Sequence, residues 1–258
     1  MTDTRTWHLW IDEQPRRGWA NMSLDMALLD LAERDGESWL RLYQWEPHCL
    51  SFGRHEPASR AYDIDRIRSL GLDTVRRPTG GRAVWHAREL TYSVAAPWQA
   101  FGSLRDAYLE IHRLLGAALE TLGVATSLAP PVRTRALDSG GCFSHPVGGE
   151  VLADGRKVVG SAQLRRGSAL LQHGSILLDG DQRLVARLRR NPTTGDGAPD
   201  VAQWRTPLRV EEVAGRIAEC ATSRWIGRWE PVTSPEPFLQ MASSHYPQFQ
   251  SSSWTWAR

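Results

Sequence analysis

Among 31 basic residues, thirty are arginine and one, Lys157, is lysine. A chain that uses arginine wherever a cation suffices, yet keeps one lysine, points to a position where a guanidinium cannot substitute. An ammonium is a compact charge that gives up and takes back a proton, which arginine does not. Lys157 lies in Asp154-Gly155-Arg156-Lys157-Val158-Val159-Gly160-Ser161-Ala162-Gln163, just past a turn, and the small residues Gly160, Ser161 and Ala162 leave room beside the strand. A second segment, Arg76-Arg77-Pro78-Thr79-Gly80-Gly81-Arg82-Ala83-Val84-Trp85-His86, ends in a histidine. Its paired glycines let a backbone approach a ligand and turn N–H groups toward an oxygen. Its arginines could hold a carboxylate or phosphate through paired hydrogen bonds. A hairpin turn is the plainer reading of Gly80-Gly81, and the segment is neither a dinucleotide fingerprint nor a P-loop. A third segment, Leu171-Gln172-His173-Gly174-Ser175-Ile176, interrupts an apolar strand with polar residues. His173 reads first as a structural histidine with its hydrogen bonds satisfied.

These residues need elements to hold them. Residues 20–34 place Met22, Met26, Leu29 and Ala32 near helical spacing and predict an amphipathic helix. Strands are expected at 39–45, 49–52, 72–75, 90–95, 150–153, 157–163 and 168–178. Asp154-Gly155 should form a tight hairpin turn. A short helix is expected over 62–70. A longer one should start at a Ser103 cap, carry Leu104, Tyr108, Ile111, Leu115 and Ala118 on one stripe, and stop at Gly123. Residues 126–149 and 191–206 read as loops. Residues 210–225 read as a second amphipathic helix, with Cys220 on its apolar stripe, and Ser234-Pro235 opens a last short helix. Strands and helices interleave without a dividing linker, which predicts one mixed α+β domain over 1–258, its core at about 33–225 and a tail from 230.

Composition narrows the rest. An apolar share of 41% and a charged share of 23% are those of a folded domain, and no apolar run approaches membrane-spanning length. The N-terminal residues lack the apolar stretch of a secretory signal. A net charge of +2 does not suggest nucleic acid. Three cysteines, widely spaced, make no disulfide framework or structural zinc pattern and suit a reducing cytoplasm. Cys49 falls in a predicted strand, and Cys142 lies in a Gly/Ser-rich stretch. The twelve tryptophans scatter without a repeat and read mostly as packing.

Taken in order, the three segments resemble the lipoate–protein ligase and octanoyltransferase family. That family pairs an R-R-x-[ST]-G-G-x-x-V-x-H loop with a G-x-K-[IV]-x-G-[ST]-A-Q strand and an H-G-[ST]-[IL]-L strand, and the likeness runs from about residue 20 to 225. The resemblance implies a single biotin/lipoate-ligase-type catalytic domain, a mostly antiparallel mixed sheet flanked by helices. Two departures, Ala87 where many members carry Asp and Arg82 in place of a third loop glycine, speak against a phosphate-cradling role. Gly141-Cys142-Phe143, upstream of Lys157, resembles the LipM-type octanoyltransferase branch, whereas Arg165-Arg166-Gly167-Ser168 lacks the cysteine another branch keeps there.

The resemblance implies an octanoyl-[acyl-carrier-protein]:protein octanoyltransferase of lipoate biosynthesis, with Cys142 as nucleophile and Lys157 as the cation that favours its thiolate. A free thiol with a pKa near ~8.5 is mostly protonated at neutral pH, and a shift of one or two units is worth roughly 1.4 to 2.7 kcal/mol. Substrate contacts are expected from Arg77, Gly80, Gly81, Arg82, His86, Gly160, Ser161, Ala162, His173 and Gly174. The expected donor is octanoyl-acyl-carrier protein, and the acceptors are lipoyl domains or the glycine-cleavage H protein. No metal, cofactor, nucleic acid or membrane is expected. His145 reads as a loop residue. The basic face of residues 183–190 reads as solvated, with carrier docking as the sharper alternative. Competing activities are ATP-dependent lipoate ligation, with Lys157 on the acyl-adenylate phosphate, and octanoyl transfer between carrier domains. A non-catalytic lipoate-binding protein of the same fold is the reading outside enzymes.

Overall fold

The computed structural model describes residues 5–130, 148–179, 182–191 and 207–257. Its elements are, in chain order, β1 (Thr6–Ile11), α1 (Gly18–Asp35), β2 (Ser38–Tyr43), β3 (Cys49–Phe52), α2 (Ala58–Ala61), α3 (Ile64–Ser69), β4 (Asp73–Arg76), β5 (Val84–His86) and β6 (Glu89–Pro97). They continue with α4 (Leu104–Glu120), β7 (Thr126–Leu128), β8 (Val151–Ala153), β9 (Arg156–Lys157), β10 (Val159–Arg166), β11 (Ala169–Leu177) and α5 (Arg183–Arg187). The last are α6 (Val210–Arg224), β12 (Arg228–Pro231), α7 (Glu236–Ala242), α8 (Tyr246–Phe249) and α9 (Ser252–Thr255).

Six strands form the main sheet in the order β10-β11-β6-β2-β1-β12, antiparallel except where β1 lies parallel to β2 and β12. Alternation decides what each face buries. Leu40 and Leu42 of β2 and Leu90, Tyr92 and Val94 of β6 point to one face, where α4 and α6 cover them with Ile111, Leu115, Val213 and Ile217. Trp39 and Tyr43, with Ala95 and Leu171, point to the other face, against α1 and the C-terminal α7 and α8. Two three-stranded sheets complete the fold, β4-β3-β5 and β7-β8-β9.

Several expectations hold. Ser103 caps α4 by accepting from Asp106 N at 3.1 Å, and Gly123 follows with a φ of +81°. Asp154 and Gly155 take positive φ of 50° and 73° and turn β8 into β9. Cys49 is buried in β3, and Cys220 of α6 packs partly buried against the core. No helix among the described residues is long and apolar enough to cross a membrane.

Others need correction. Helix α1 is not amphipathic but buried on almost every side, Asn21, Ser23 and Asp25 included. Strands β1 and β12 were not expected, yet they form one flank of the main sheet on either side of residues 33–225. Strand β7 opens what read as a loop. The expected helix over 62–70 is present as α3, capped by Asp63, and a separate short turn, α2, precedes it across an extended Tyr62. Gly80-Gly81 is no hairpin turn, because β3 lies between β4 and β5 and the loop crosses it.

Candidate active site

A narrow cleft lies over the α1 face of the main sheet. Its floor crosses three strands, with Gly160 and Ala162 from β10, His173 and Ser175 from β11, and Thr91 from β6. Met22 of α1, Tyr43, Trp45 and Val84 give it apolar walls, and Arg77 and His86 reach it from the loop side. Of the expected contact residues, Arg77, His86, Gly160, Ser161, Ala162, His173 and Gly174 line this one cleft, although they come from three separate segments. Gly80, Gly81 and Arg82 are not among its lining residues. They belong to the loop beside it, where a Cβ on Gly81 would stand 4.0 Å from Ala162 Cβ.

The loop is held from below by its arginines. Arg76 is 1% exposed, and it donates to the carbonyls of Gly53, Arg54, Glu56, Trp254 and Ala257 at 2.7–3.0 Å. It therefore ties the chain at 53–56 to the C-terminal segment. Arg77 donates to Ser51 O and Oγ and to the carbonyls of Gly80 and Arg82 at 2.6–3.1 Å. Gly81 needs its glycine for a φ of +88°, and Gly53 needs its own because a Cβ there would sit 1.8 Å from Gly81 O.

Two histidines stand in the cleft on buried carboxylates. His173 Nδ1 donates to Asp25 Oδ2 at 2.8 Å, and its Nε2 shares a 2.6 Å hydrogen bond with Thr79 Oγ1. Asp25 also accepts from Tyr43 Oη at 2.9 Å and Arg41 Nη1 at 3.2 Å. His173 thus has its hydrogen bonds satisfied, as a structural histidine should, and it also fixes the loop to the sheet. His86 stacks on Trp45 at 4.0 Å and bonds Ser51 Oγ at 2.7 Å, while its Nδ1 lies 3.5 Å from Glu89 Oε1. Burial pushes its pKa down, so it is a neutral group at physiological pH.

The side chain of Ser161 turns away from the cleft, since register pairs it with Gly174 on the α4 face. There a hydrogen-bonded chain runs through the core. Burial lowers the pKa of His112 to about 4, so the ring is neutral. Its Nδ1 donates to Gly149 O at 2.7 Å, which leaves Nε2 to accept from Ser161 Oγ at 2.8 Å. Tyr92 Oη then donates to Ser161 Oγ at 2.6 Å and accepts from Gln172 Nε2 at 2.9 Å. Gly174 has no side chain for a packing reason: a Cβ would meet Ser161 Oγ at 2.5 Å and Tyr92 Cε1 at 2.8 Å.

Gly149, which this chain holds, precedes Glu150, and Glu150 Oε1 pairs with Lys157 Nζ at 2.6 Å, both side chains 3% exposed. Lys157 is not a lining residue of the cleft; it pairs with Glu150, which follows the Gly149 held by His112. Cys142 and His145 lie outside the described residues. Sequence reasoning missed Glu150 and His112. Glu150 was read only as a strand residue, and His112 follows Ile111 on the stripe of α4, where its only signal was a polar letter beside an apolar one. Among the described residues no group of three or more His, Cys, Asp or Glu converges as a metal site.

Comparison with known proteins adds to this geometry. The lipoyl protein ligase A/B catalytic domain matches residues 17–214. The octanoyltransferase LipM of Carboxydothermus hydrogenoformans is 42% identical over 166 residues, 63% of this chain and 61% of that protein. The chain thus matches about three fifths of that relative's length. The octanoyltransferase LipM of Symbiobacterium thermophilum is 39% identical over 227 residues, 84% of this chain and 82% of its own. The structure of protein Ta0514 from T. acidophilum with bound lipoic acid superposes with a TM-score of 0.78 at 18% identity, covering 100% of both chains. At that identity the likeness is one of fold.

Proposed function

The chain belongs to the lipoyl protein ligase A/B catalytic-domain family, and on that premise we propose that it is an octanoyltransferase of lipoate biosynthesis. It takes its acyl group from octanoyl-acyl-carrier protein and works in the cytoplasm. The thiolate of Cys142 attacks the carbonyl carbon of the donor thioester, the bond to the pantetheine sulfur breaks, and that sulfur leaves with a proton. The ε-amine of a lysine on a lipoyl domain or H protein then attacks the acyl-enzyme. The C–S bond to Cys142 breaks, the amide forms, and the amine loses its proton. Lys157 supplies the ammonium that favours the Cys142 thiolate and steadies the developing oxyanion. Glu150 holds Lys157 in one place at 2.6 Å. The acyl chain lies in the cleft between β10, β11 and the Gly80-Gly81 loop, with Arg77, Arg82 and His86 at its polar edge.

The observation that carries the reading is the cleft itself. Seven of the expected contact residues meet there around apolar walls from Met22, Tyr43, Trp45 and Val84. Such walls suit an alkyl chain. The test is acyl transfer to a purified lipoyl domain with octanoyl-carrier protein as donor and no ATP. Octanoylation of the lipoyl-domain lysine is expected. Labelling that requires free lipoate and ATP, and that tolerates Cys142→Ser, would replace this reading with ligation.

A further inference from the structure

We infer that the surface formed by α2, α3 and α5 docks the donor, a strongly acidic carrier protein that presents its acyl thioester on a flexible arm. The inference rests on the transferase reading above. It starts from an imbalance of charge. Over most of the described surface the arginines are paired: Arg16 with Asp12, Arg34 with Asp35, Arg166 with Asp30 and Glu33, Arg216 with Glu219, Arg224 with Glu110. On this one face Arg54, Arg60, Arg66, Arg187 and Arg190 are all exposed, and none makes an ion pair among the described residues. The carboxylates on the same elements are already engaged. Glu56 accepts from Tyr62 Oη at 2.7 Å, Asp63 caps α3 through Arg66 N at 3.0 Å, and Asp65 stands 3.9 Å from Arg68. Among the described residues this face therefore carries more cations than carboxylates.

The face is one rigid surface. Arg66 Nη1 donates to Arg187 O at 3.1 Å, Asp63 N to Leu188 O at 2.8 Å, and Arg190 Nε to Tyr62 O at 2.9 Å, so α3 and α5 are stitched together. It also begins at the site. Arg54 N donates to Thr79 O at 2.8 Å, Gly53 packs on Gly81 O, and Gln182, which caps α5, bonds the backbone of Trp85 at 2.8 and 2.9 Å. The positive field therefore runs up to the loop that borders the cleft. At the end of α3, Leu70 is 51% exposed, an apolar contact set among the arginines. Unpaired cations around an exposed leucine fit an acidic helix with an apolar stripe. Complementary fields of this kind raise association rates by roughly 10- to 1,000-fold and weaken with salt.

The test uses the full chain and the variant Arg60→Glu/Arg187→Glu, whose side chains make no hydrogen bond or ion pair among the described residues. The rate of acyl-enzyme formation is measured with octanoyl-carrier protein and with octanoyl-pantetheine, which has the arm but no protein. Arg209→Glu/Arg216→Glu at α6, which makes the same change of four charges, controls for net charge. The expected result is a loss of at least about tenfold in kcat/KM toward the carrier, carried by KM, with the small thioester unchanged within about twofold. The wild-type advantage for the carrier should also shrink as salt rises from about 0.01 to 1 M, where the screening length falls from ~30 to ~3 Å. Equal losses with both donors, an unchanged carrier rate, or a loss confined to the acceptor half-reaction would each overturn the inference. Failure of the wild-type protein to take an acyl group from either donor would instead remove the transferase reading, and the docking inference with it.

Discussion

Removing one member of the buried Lys157–Glu150 pair should destabilise the fold far more than removing both. Each side chain is 3% exposed and the atoms are 2.6 Å apart, so either single truncation removes an opposite charge from direct contact with a group held away from water. Breaking a buried ion pair in this way costs about 3–5 kcal/mol, whereas replacing both members by apolar residues of similar size is often close to neutral. For a chain of this length each kcal/mol moves Tm by about 2–4 °C. Lys157→Met and Glu150→Leu should therefore each lower Tm by roughly 6–20 °C, and the double variant should recover most of the loss. Thermal and urea unfolding of the four proteins would give the coupling energy directly. Losses that simply add in the double variant would refute a direct pair. Lys157→Arg adds a functional reading: the charge stays, so stability should fall less than in Lys157→Met, yet acyl transfer should still fail.

Three further outcomes follow from the geometry. The pKa of His112, lowered to about 4, means that the unfolded chain binds more protons than the folded one between about pH 6.5 and 4. Its contribution is complete above pH 6.5 and lost as pH falls through 4, a change of about 3 kcal/mol. His86, also lowered by burial, adds a slope of the same sign, so the measurement is the difference between wild type and His112→Gln, whose curve should be flatter. Gly53→Ala puts a methyl group where Gly81 O already stands, and an overpacking loss of about 1–3 kcal/mol is expected, with weakened octanoyl binding read as a raised KM. Burial raises the pKa of the Cys49 thiol well above its ordinary value, and that of Cys220 is also raised. In the native protein peptide mapping after brief alkylation should therefore find Cys142 modified and Cys49 untouched.

Much of the fold was legible because its signals are local. Ser103 caps its own helix, Asp154-Gly155 supplies two positive φ in succession, and the alternation of β6 shows in six letters. The failures share a different cause. Periodicity distinguishes polar from apolar but not solvent from a buried partner, so Asn21 and Asp25 read as the wet side of α1 although they bond Arg41, Tyr43 and His173 in the core. Strand β12, four residues with two charges and a terminal proline, has the make-up of a sheet edge and so looks like loop. The cleft was legible in outline, since segments rich in Gly, Ser and His bring unusual polarity to buried strands. What Arg76 grips was not, because Gly53, Trp254 and Ala257 are distant in sequence. Nor was the role of His112, whose partners Gly149 and Ser161 lie 37 and 49 residues away.

The central claim is a covalent acyl-enzyme on Cys142, and intact mass tests it most directly. After brief incubation with octanoyl-carrier protein and no acceptor, the wild-type chain should gain a single octanoyl group. Hydroxylamine or a lipoyl domain should remove it, and Cys142→Ala should never acquire it. An adduct that persists in Cys142→Ala, or acceptor octanoylation by that variant at the wild-type rate, would contradict the account.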